Sequence, residues 1–288
     1  MVTVLLGTLT LISLIFFTAM IRAAKACGAI GISLEAIGLG AVINFFDTLG
    51  IGSFAPSTAW IKFRKLVPDG HIPAVLNVGH ALPTVAQALI FIILVKVDNM
   101  LLIGCIGAAV VGGLIGAPVV QRMPLKRLQA LVGIALLIAA ALFTLKNLAL
   151  LPVGGSALSL SLPLMLGAFA AHFVMGALMT AGIGLYAPSL ALLSLMGLNP
   201  AAIFPIMMGA CAFLMPSAGF SFLKSDRIDH RVVLGIALGG IPGVLVAAYL
   251  VKSLPLDILR WGVVVVVVYA AYVMLRSALG RDNAMPER

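Results

Sequence analysis

Hydrophobic positions along this chain do not alternate; they run in blocks. Apolar segments cover approximately residues 1–21, 32–46, 52–63, 72–95, 99–121, 127–146, 162–180, 184–196, 200–223, 231–251 and 257–276, with polar residues collected between them. Runs of about 20 apolar residues mark membrane-spanning helices. A backbone in lipid has no water to bond, so such a run closes its own hydrogen bonds as an α-helix; the alternation that a barrel strand needs is missing. The pattern predicts an all-α polytopic membrane protein. Four segments stand apart: 32–46, 52–63 and 184–196 are short and 162–180 is marginal. Twelve helical residues cover ~18 Å of a ~30 Å hydrocarbon core. These four form two pairs, each joined at a Gly-x-Gly.

The first joint lies in NFFDTLGIGSFAPST, residues 44–58, and the second in MTAGIGLYAPSLA, residues 179–191. Gly50, Ile51, Gly52, Ala55, Pro56 and Ser57 line up with Gly182, Ile183, Gly184, Ala187, Pro188 and Ser189, 132 positions on. His71-Ile72-Pro73-Ala74 matches Leu198-Asn199-Pro200-Ala201, Gly104 and Gly112 match Gly235 and Gly243, and Met123-Pro124-Leu125 matches Leu254-Pro255-Leu256. The chain therefore divides into an N-terminal helix and basic loop (1–31), a first repeat (32–147), an uncharged Gly/Ser/Pro-containing external linker (148–161), a second repeat (162–279) and a polar tail (280–288).

Charge decides how the short pairs run. If both are re-entrant hairpins and the N-terminus is outside, the inner loops and tail hold Arg22, Lys25, Lys62, Arg64, Lys65, Arg122, Lys126, Arg127, Lys224, Arg227, Arg231, Arg276, Arg281 and Arg288, which is 14 of the 18 Lys and Arg. If both pairs cross fully, the split falls to 10 against 8. The positive-inside bias prefers hairpins. The expectation is two inverted repeats with broken, re-entrant helices, about seven full crossings plus two hairpins, N-terminus outside and C-terminus cytoplasmic. Inverted repeats with broken helices are the recurring plan of secondary transporters, with the site near mid-membrane.

Composition agrees: 62% of residues are hydrophobic and 9% charged, against ~25% charged in a soluble domain. The net charge of +9 sits in short clusters between apolar runs, the pattern of cytoplasmic loops and not of a nucleic-acid surface. Val2–Met20 has no basic region before it and reads as a retained helix, not a signal peptide. Cys27, Cys105 and Cys211 lack paired spacing, so no disulfide framework, zinc site or cofactor is expected.

The joints suit an anion. A helix that begins inside the membrane leaves its first N–H groups unsatisfied, and its dipole makes that end positive. Gly50, Gly52, Gly182 and Gly184 let the backbone turn and let a ligand approach. Pro56 and Pro188 fit a first turn, and Ser53, Ser57, Thr58 and Ser189 add hydroxyls. Two such starts facing one another would cradle a tetrahedral oxyanion or a carboxylate. Asp47 is a carboxylate at depth, where insertion costs ~2.5–3.5 kcal/mol and function is the default reading. It either carries a coupling proton or caps the helix start that follows; its counterpart is Met179, whereas Thr48 and Thr180 match. His80 and His172 lie ~12–15 Å along their helices and are candidates for anion binding or proton carriage. Asn44, Asn77, Gln87 and Thr180 complete the candidate substrate contacts. Glu35 lies near the inner end of its helix, and His71 and His230 fall in basic loops. Met207, Met208 and Cys211 read as core packing, with a soft pathway for sulfur compounds as the alternative.

With their glycine breaks, following prolines and Gly-rich helices ahead of short Pro-containing loops, the two halves resemble the sulfite exporter TauE/SafE family, also called the toluene sulfonate uptake permeases. FFDTLGIGSFAPSTA resembles a first-half signature of one branch and AGIGLYAPSLA a second-half signature; the likeness runs from about Ile32 to Leu275. Many members carry a longer glycine run than Gly-Ile-Gly. The resemblance implies movement of sulfite, sulfoacetate, other organosulfonates or thiosulfate, with export the commoner assignment, and residence in a bacterial inner membrane. The partners expected are a small anion, the lipid bilayer and coupling protons; no nucleic acid is expected. A passive anion channel and a carrier of a non-sulfur carboxylate are the alternatives. An intramembrane enzyme is not expected, since no His-Glu-x-x-His, paired carboxylates or Ser/His arrangement at helical spacing occurs.

Overall fold

The structure, a computed structural model, describes residues 2–29, 31–116, 124–148, 150, 155–180, 182–225, 227–251 and 256–279. The tail 280–288, Arg122, Lys252 and the linker residues 151–154 lie outside the described residues. Each apolar segment read from the sequence contains helix among its described residues: α1 (Val2–Ala26), α2 (Leu34–Thr48), α3 (Phe54–Arg64), α4 (Ile72–Gly79), α5 (Ala81–Leu94), α6 (Asn99–Val111), α7 (Leu125–Asn147), α8 (Leu162–Thr180), α9 (Tyr186–Leu195), α10 (Pro200–Phe222), α11 (His230–Val251) and α12 (Leu256–Leu279). Among the described residues, five helices are long and apolar enough to cross a membrane: Val2–Ala26, Ile72–Leu94, Leu162–Thr180, Pro200–Phe222 and His230–Leu250. The sequence expects seven crossings. One of these five, α8, is a limb of an expected hairpin, while Asn99–Ile115 and Val267–Leu279 fall among the shorter apolar helices.

Two interruptions were not expected. The segment 72–95 breaks between α4 and α5 at His80. Pro83 offers no N–H to the carbonyl of Gly79, four residues back, and its ring crowds that carbonyl. The segment 99–121 passes from α-helix into a π turn at Gly112–Gly116, a distortion that glycines at 112, 113 and 116 permit.

Both short pairs fold back. In the first, Arg64 in the last turn of α3 donates to Glu35 in the first turn of α2 (Nε to Oε1 2.7 Å, Nη2 to Oε2 3.3 Å), and Trp60 Nε1 joins Oε1 at 3.1 Å. The start of α2 and the end of α3 thus lie together. In the second, a bridge pairs Ala157 with Leu198 and Asn199 N donates to Ala157 O at 2.8 Å, so the start of α8 and the end of α9 also meet. Asp98, the N-cap of α6, donates its backbone N–H to Leu158 O at 3.0 Å. Arg231, at the start of α11, lies against Gly31 just ahead of α2.

Helices from different halves pack through bare glycines. A Cβ on Gly239 or Gly243 of α11 would strike the carbonyl of Ile37 or Ala41 on α2. A Cβ on Gly112 would strike the carbonyl of Phe173 on α8, and one on Gly176 that of Ala109 on α6. Ala41 and Phe173 are 132 positions apart, and Gly112 and Gly243 are 131 apart; the same contact is built twice, each time between a helix of one half and a helix of the other. Small residues are what allow membrane helices to approach this closely.

Gly239→Val is expected to destabilise the protein by about 1–3 kcal/mol, because a backbone carbonyl cannot move aside as a side chain can. A lowered Tm in detergent, beside an unchanged Tm for Gly7→Ala, which has open space around it, checks this.

Candidate functional site

Both breaks end their first limb in the same way. Gly50 N donates to Asp47 O (2.9 Å) and Ile51 N to Phe46 O (3.3 Å); Gly182 N donates to Met179 O (3.0 Å) and Ile183 N to Leu178 O (3.2 Å). Gly50 (φ +97°) and Gly182 (φ +89°) occupy the left-handed region that these closures need, where a side chain would be strained. Gly52 is also left-handed, at φ +86°, and Gly184 is not, so the two loops diverge after the first glycine.

Beyond each break a new helix starts with no side-chain cap: α3 after Ser53 and α9 after Leu185. Pro56 and Pro188 sit at the third helical position of α3 and α9, where no intrahelical N–H bond is required. The two starts face each other. Ile51, Gly52, Phe54 and Ala55 from the first pair and Ile183, Gly184, Tyr186, Ala187 and Pro188 from the second line one cleft of about 30 Å³, with Leu136 of α7 beside them. That is room for little more than a water or two. Its walls are apolar side chains and backbone, so the donors available to an anion there are peptide N–H groups at two positive helix ends.

Around the cleft lies a buried polar network. Asp47 is 1% exposed. Its Oδ2 accepts from Gln87 Nε2 at 2.8 Å, and the same amide nitrogen donates to Thr48 Oγ1 at 2.9 Å. Thr48 donates its own proton to Asn44 O at 2.7 Å. Tyr186 completes the amide by donating its hydroxyl to Gln87 Oε1 at 2.6 Å. Asp47 Oδ1 is buried without a hydrogen-bond partner; Ser53, through its hydroxyl and backbone N–H, is the group nearest to supply one.

The two imidazoles at depth are each tied to the serine that follows the proline. His80 Nδ1 meets Asn44 Oδ1 at 3.0 Å and its Nε2 meets Ser57 Oγ at 2.9 Å. Asn44 donates its amide to Gly40 O at 2.8 Å, so the atom facing His80 is an acceptor. A neutral His80 therefore carries its proton on Nδ1 and takes the Ser57 hydroxyl on Nε2. His172 repeats the arrangement, with Nδ1 on Ala168 O at 2.8 Å and Nε2 on Ser189 Oγ at 3.0 Å. In both, the serine hydroxyl is directed at the imidazole.

The structure thus brings Asn44, Asp47, Ser53, Ser57, His80 and Gln87 together around the first break, and His172 and Ser189 around the second. Asn77 is buried but bonds back to Pro73 O at 2.9 Å, with Oδ1 unpartnered, and Thr180 bonds to Ala177 O of its own helix at 2.7 Å; neither joins the network. Cys211 Sγ lies 3.6 Å from Met179 Sδ, and the Met207 methyl lies beside Gly50, so sulfur side chains pack on the second-half side of the breaks. Sequence reasoning missed Tyr186. Its signal was present: it aligns with Phe54, 132 positions earlier, and the hydroxyl is what the second copy adds.

The family model described as Sulfite exporter TauE/SafE matches residues 164–288, and it is the family that both signatures resemble. The matched stretch holds α8, the second break and α9, and leaves Asp47 and Gln87 outside it. No curated protein and no solved structure matches the chain.

Ser57→Ala and Ser189→Ala each leave a buried imidazole nitrogen without its donor, a loss of about 1–3 kcal/mol. The expected result is a lowered Tm for both variants in ligand-free protein; an unchanged Tm would show that these hydroxyls serve something other than the histidines.

Proposed function

We propose that this chain is a secondary transporter that exports small sulfur-containing anions, such as sulfite, sulfoacetate or other organosulfonates, by alternating access with proton coupling. The observation that carries this is the meeting of two uncapped half-helix starts across one cleft, in a protein whose second half matches a family of membrane sulfite exporters. A sulfite or sulfonate presents a cluster of negative oxygens that peptide N–H groups at helix starts can hold, and the cleft of about 30 Å³ must widen to admit it. The same geometry accepts a carboxylate, so the sulfur-anion reading leans on the family likeness for its choice of substrate.

The contacts at the helix ends support an inverted arrangement. Glu35 and Arg64 put both ends of the first hairpin on one side, and Ala157, Leu198 and Asn199 put both ends of the second together. Ile72–Leu94 crosses from the first side to the other, where Asp98 meets Leu158 beside the second hairpin. Pro200–Phe222 crosses back, and α11 then starts at Arg231 against Gly31. On this reading the first hairpin enters from the cytoplasm and the second from outside, in a bacterial inner membrane, with the N-terminus outside. Asp47 carries the coupling proton, and His80 and His172 hold the serines behind the two helix starts.

Three outcomes follow. Sulfite or sulfoacetate raises the Tm of purified protein, by an amount equivalent to ~2.7 kcal/mol at a hundredfold excess over its dissociation constant, and acetate does not; a panel of sulfite, sulfoacetate, taurine, thiosulfate, sulfate and acetate tests this. Asp47→Asn abolishes pH-driven flux while leaving exchange of anion for anion; flux that still follows the pH gradient removes Asp47 from the coupling role. A cysteine placed at Gly70, exposed in the turn between α3 and α4, is labelled only from the cytoplasmic side in right-side-out vesicles after permeabilisation; labelling from outside contradicts the topology.

A further inference from the structure

We propose that Tyr186 is a positioning residue of the transport cycle: its hydrogen bond to Gln87 latches the second-half helix start to Asp47 of the first half, and protonation of Asp47 loosens that latch. This rests on the transporter reading for its purpose but not for its test. The geometry fixes the protons around Gln87. Gln87 Nε2 has two hydrogens, and both are committed, one to Asp47 Oδ2 at 2.8 Å and one to Thr48 Oγ1 at 2.9 Å. Thr48 must accept there because its own proton goes to Asn44 O. Gln87 Oε1 is then the only polar atom of that side chain left, and it accepts the Tyr186 hydroxyl at 2.6 Å. Turned over, the amide would set Oε1 against the carboxylate, so an ionised Asp47 holds it in this orientation.

Tyr186 is the first residue of α9 and lines the cleft directly, with its Cβ packed beside Gly52. A bond made at its hydroxyl therefore holds one wall of the cleft to α5, and through Gln87 to the end of α2. An ionised carboxylate grips the amide with a charge-assisted hydrogen bond, roughly twice as strong as a neutral one. When Asp47 takes a proton, that grip falls to a neutral bond, and the amide holds Tyr186 less firmly. Asp47 Oδ1, buried and not engaged by Gln87, is the oxygen left for that proton, with Ser53 as its neighbour.

Few other groups can imitate the effect. Among the described residues, the titratable side chains coupled to Asp47 are Tyr186 itself and Cys211 on α10. α5 carries no ionisable residue. Those of α11 are His230 and Arg231 at its far end and Tyr249, 82% exposed, and those of α3 are Lys62 and Arg64 in its last turn. His80 is turned onto Asn44 and Ser57.

The test measures cleft opening without any substrate. Ala55, on the opposite wall, is replaced by Cys in a Cys27→Ser background, which leaves the buried Cys105 and Cys211 as the native thiols. The labelling rate with a small water-soluble maleimide is compared between Tyr186→Phe and its parent at each pH, so that the pH dependence of the thiol itself cancels in the ratio. The expected ratio is about fivefold at alkaline pH, the worth of a lost neutral hydrogen bond, and smaller but still above one at acid pH, where the weakened bond remains. With Asp47→Asn in both proteins the ratio stops depending on pH. Gln87→Leu, which cuts the same latch from the other side, gives the same loosening and stands in if Tyr186→Phe does not fold. A ratio of one at every pH overturns the latch, and a ratio that ignores pH while Asp47 is present overturns its control by the proton. A pH-dependent ratio in a protein that moves no sulfur anion would sustain the latch and sink the substrate reading alone.

Discussion

Every feature of this protein's centre follows from one constraint: a backbone broken inside an apolar layer must satisfy its own polar groups. The two breaks meet it identically on one side. Each closes the end of its first limb with paired N–H to carbonyl bonds onto residues 46 and 47 or 178 and 179, using a left-handed glycine. On the other side the constraint is left partly unmet. Pro56 and Pro188 each remove one N–H from the new helix start, but no side chain caps the rest. The result is two donor-rich, positive ends directed into a shared cleft. Such ends are stable in lipid when a polar ligand or water completes them, and this is the physical reason to read the cleft as an anion site.

The repeated frame carries chemistry that is not repeated. Asp47 stands opposite Met179 and Phe54 opposite Tyr186. The first half thus supplies the carboxylate and its amide partner, and the second supplies the phenol that binds the amide. The serines do correspond, Ser57 with Ser189, yet their histidines do not: His80 follows the first hairpin and His172 precedes the second break. An equivalent frame with unequal polar groups thus surrounds one cleft.

Much of this was legible in the sequence because the strongest signals are local. Block hydrophobicity set the helices to within a few residues, and the recurrence of Gly-Ile-Gly with Ala-Pro-Ser marked both breaks. The Lys and Arg distribution favoured hairpins, and the Glu35–Arg64 contact joins the two ends of the first pair. What the sequence could not display was partnership at long range. The His80–Ser57, Asp47–Gln87 and Tyr186–Gln87 bonds link residues 23, 40 and 99 positions apart. No Ser/His pair stands at helical spacing in the sequence, yet three different segments bring Ser57, His80 and Asn44 into a hydrogen-bonded row. The break at His80 depended on a proline four residues from the end of α4, a cue that hydropathy does not register. Tyr186 was passed over because a tyrosine among apolar residues looks like core until its hydroxyl has a partner.

The central claim is that the facing helix starts carry a sulfur oxyanion through the membrane by exposing one site to each side in turn. Counterflow of labelled sulfite in proteoliposomes tests it most directly. A carrier loaded with unlabelled sulfite inside takes up labelled sulfite against its gradient, with saturation, and a sulfonate substitutes for the internal anion where acetate does not. Uptake that never exceeds equilibration, rises linearly with concentration and is indifferent to the internal anion would contradict the account and describe a pore instead.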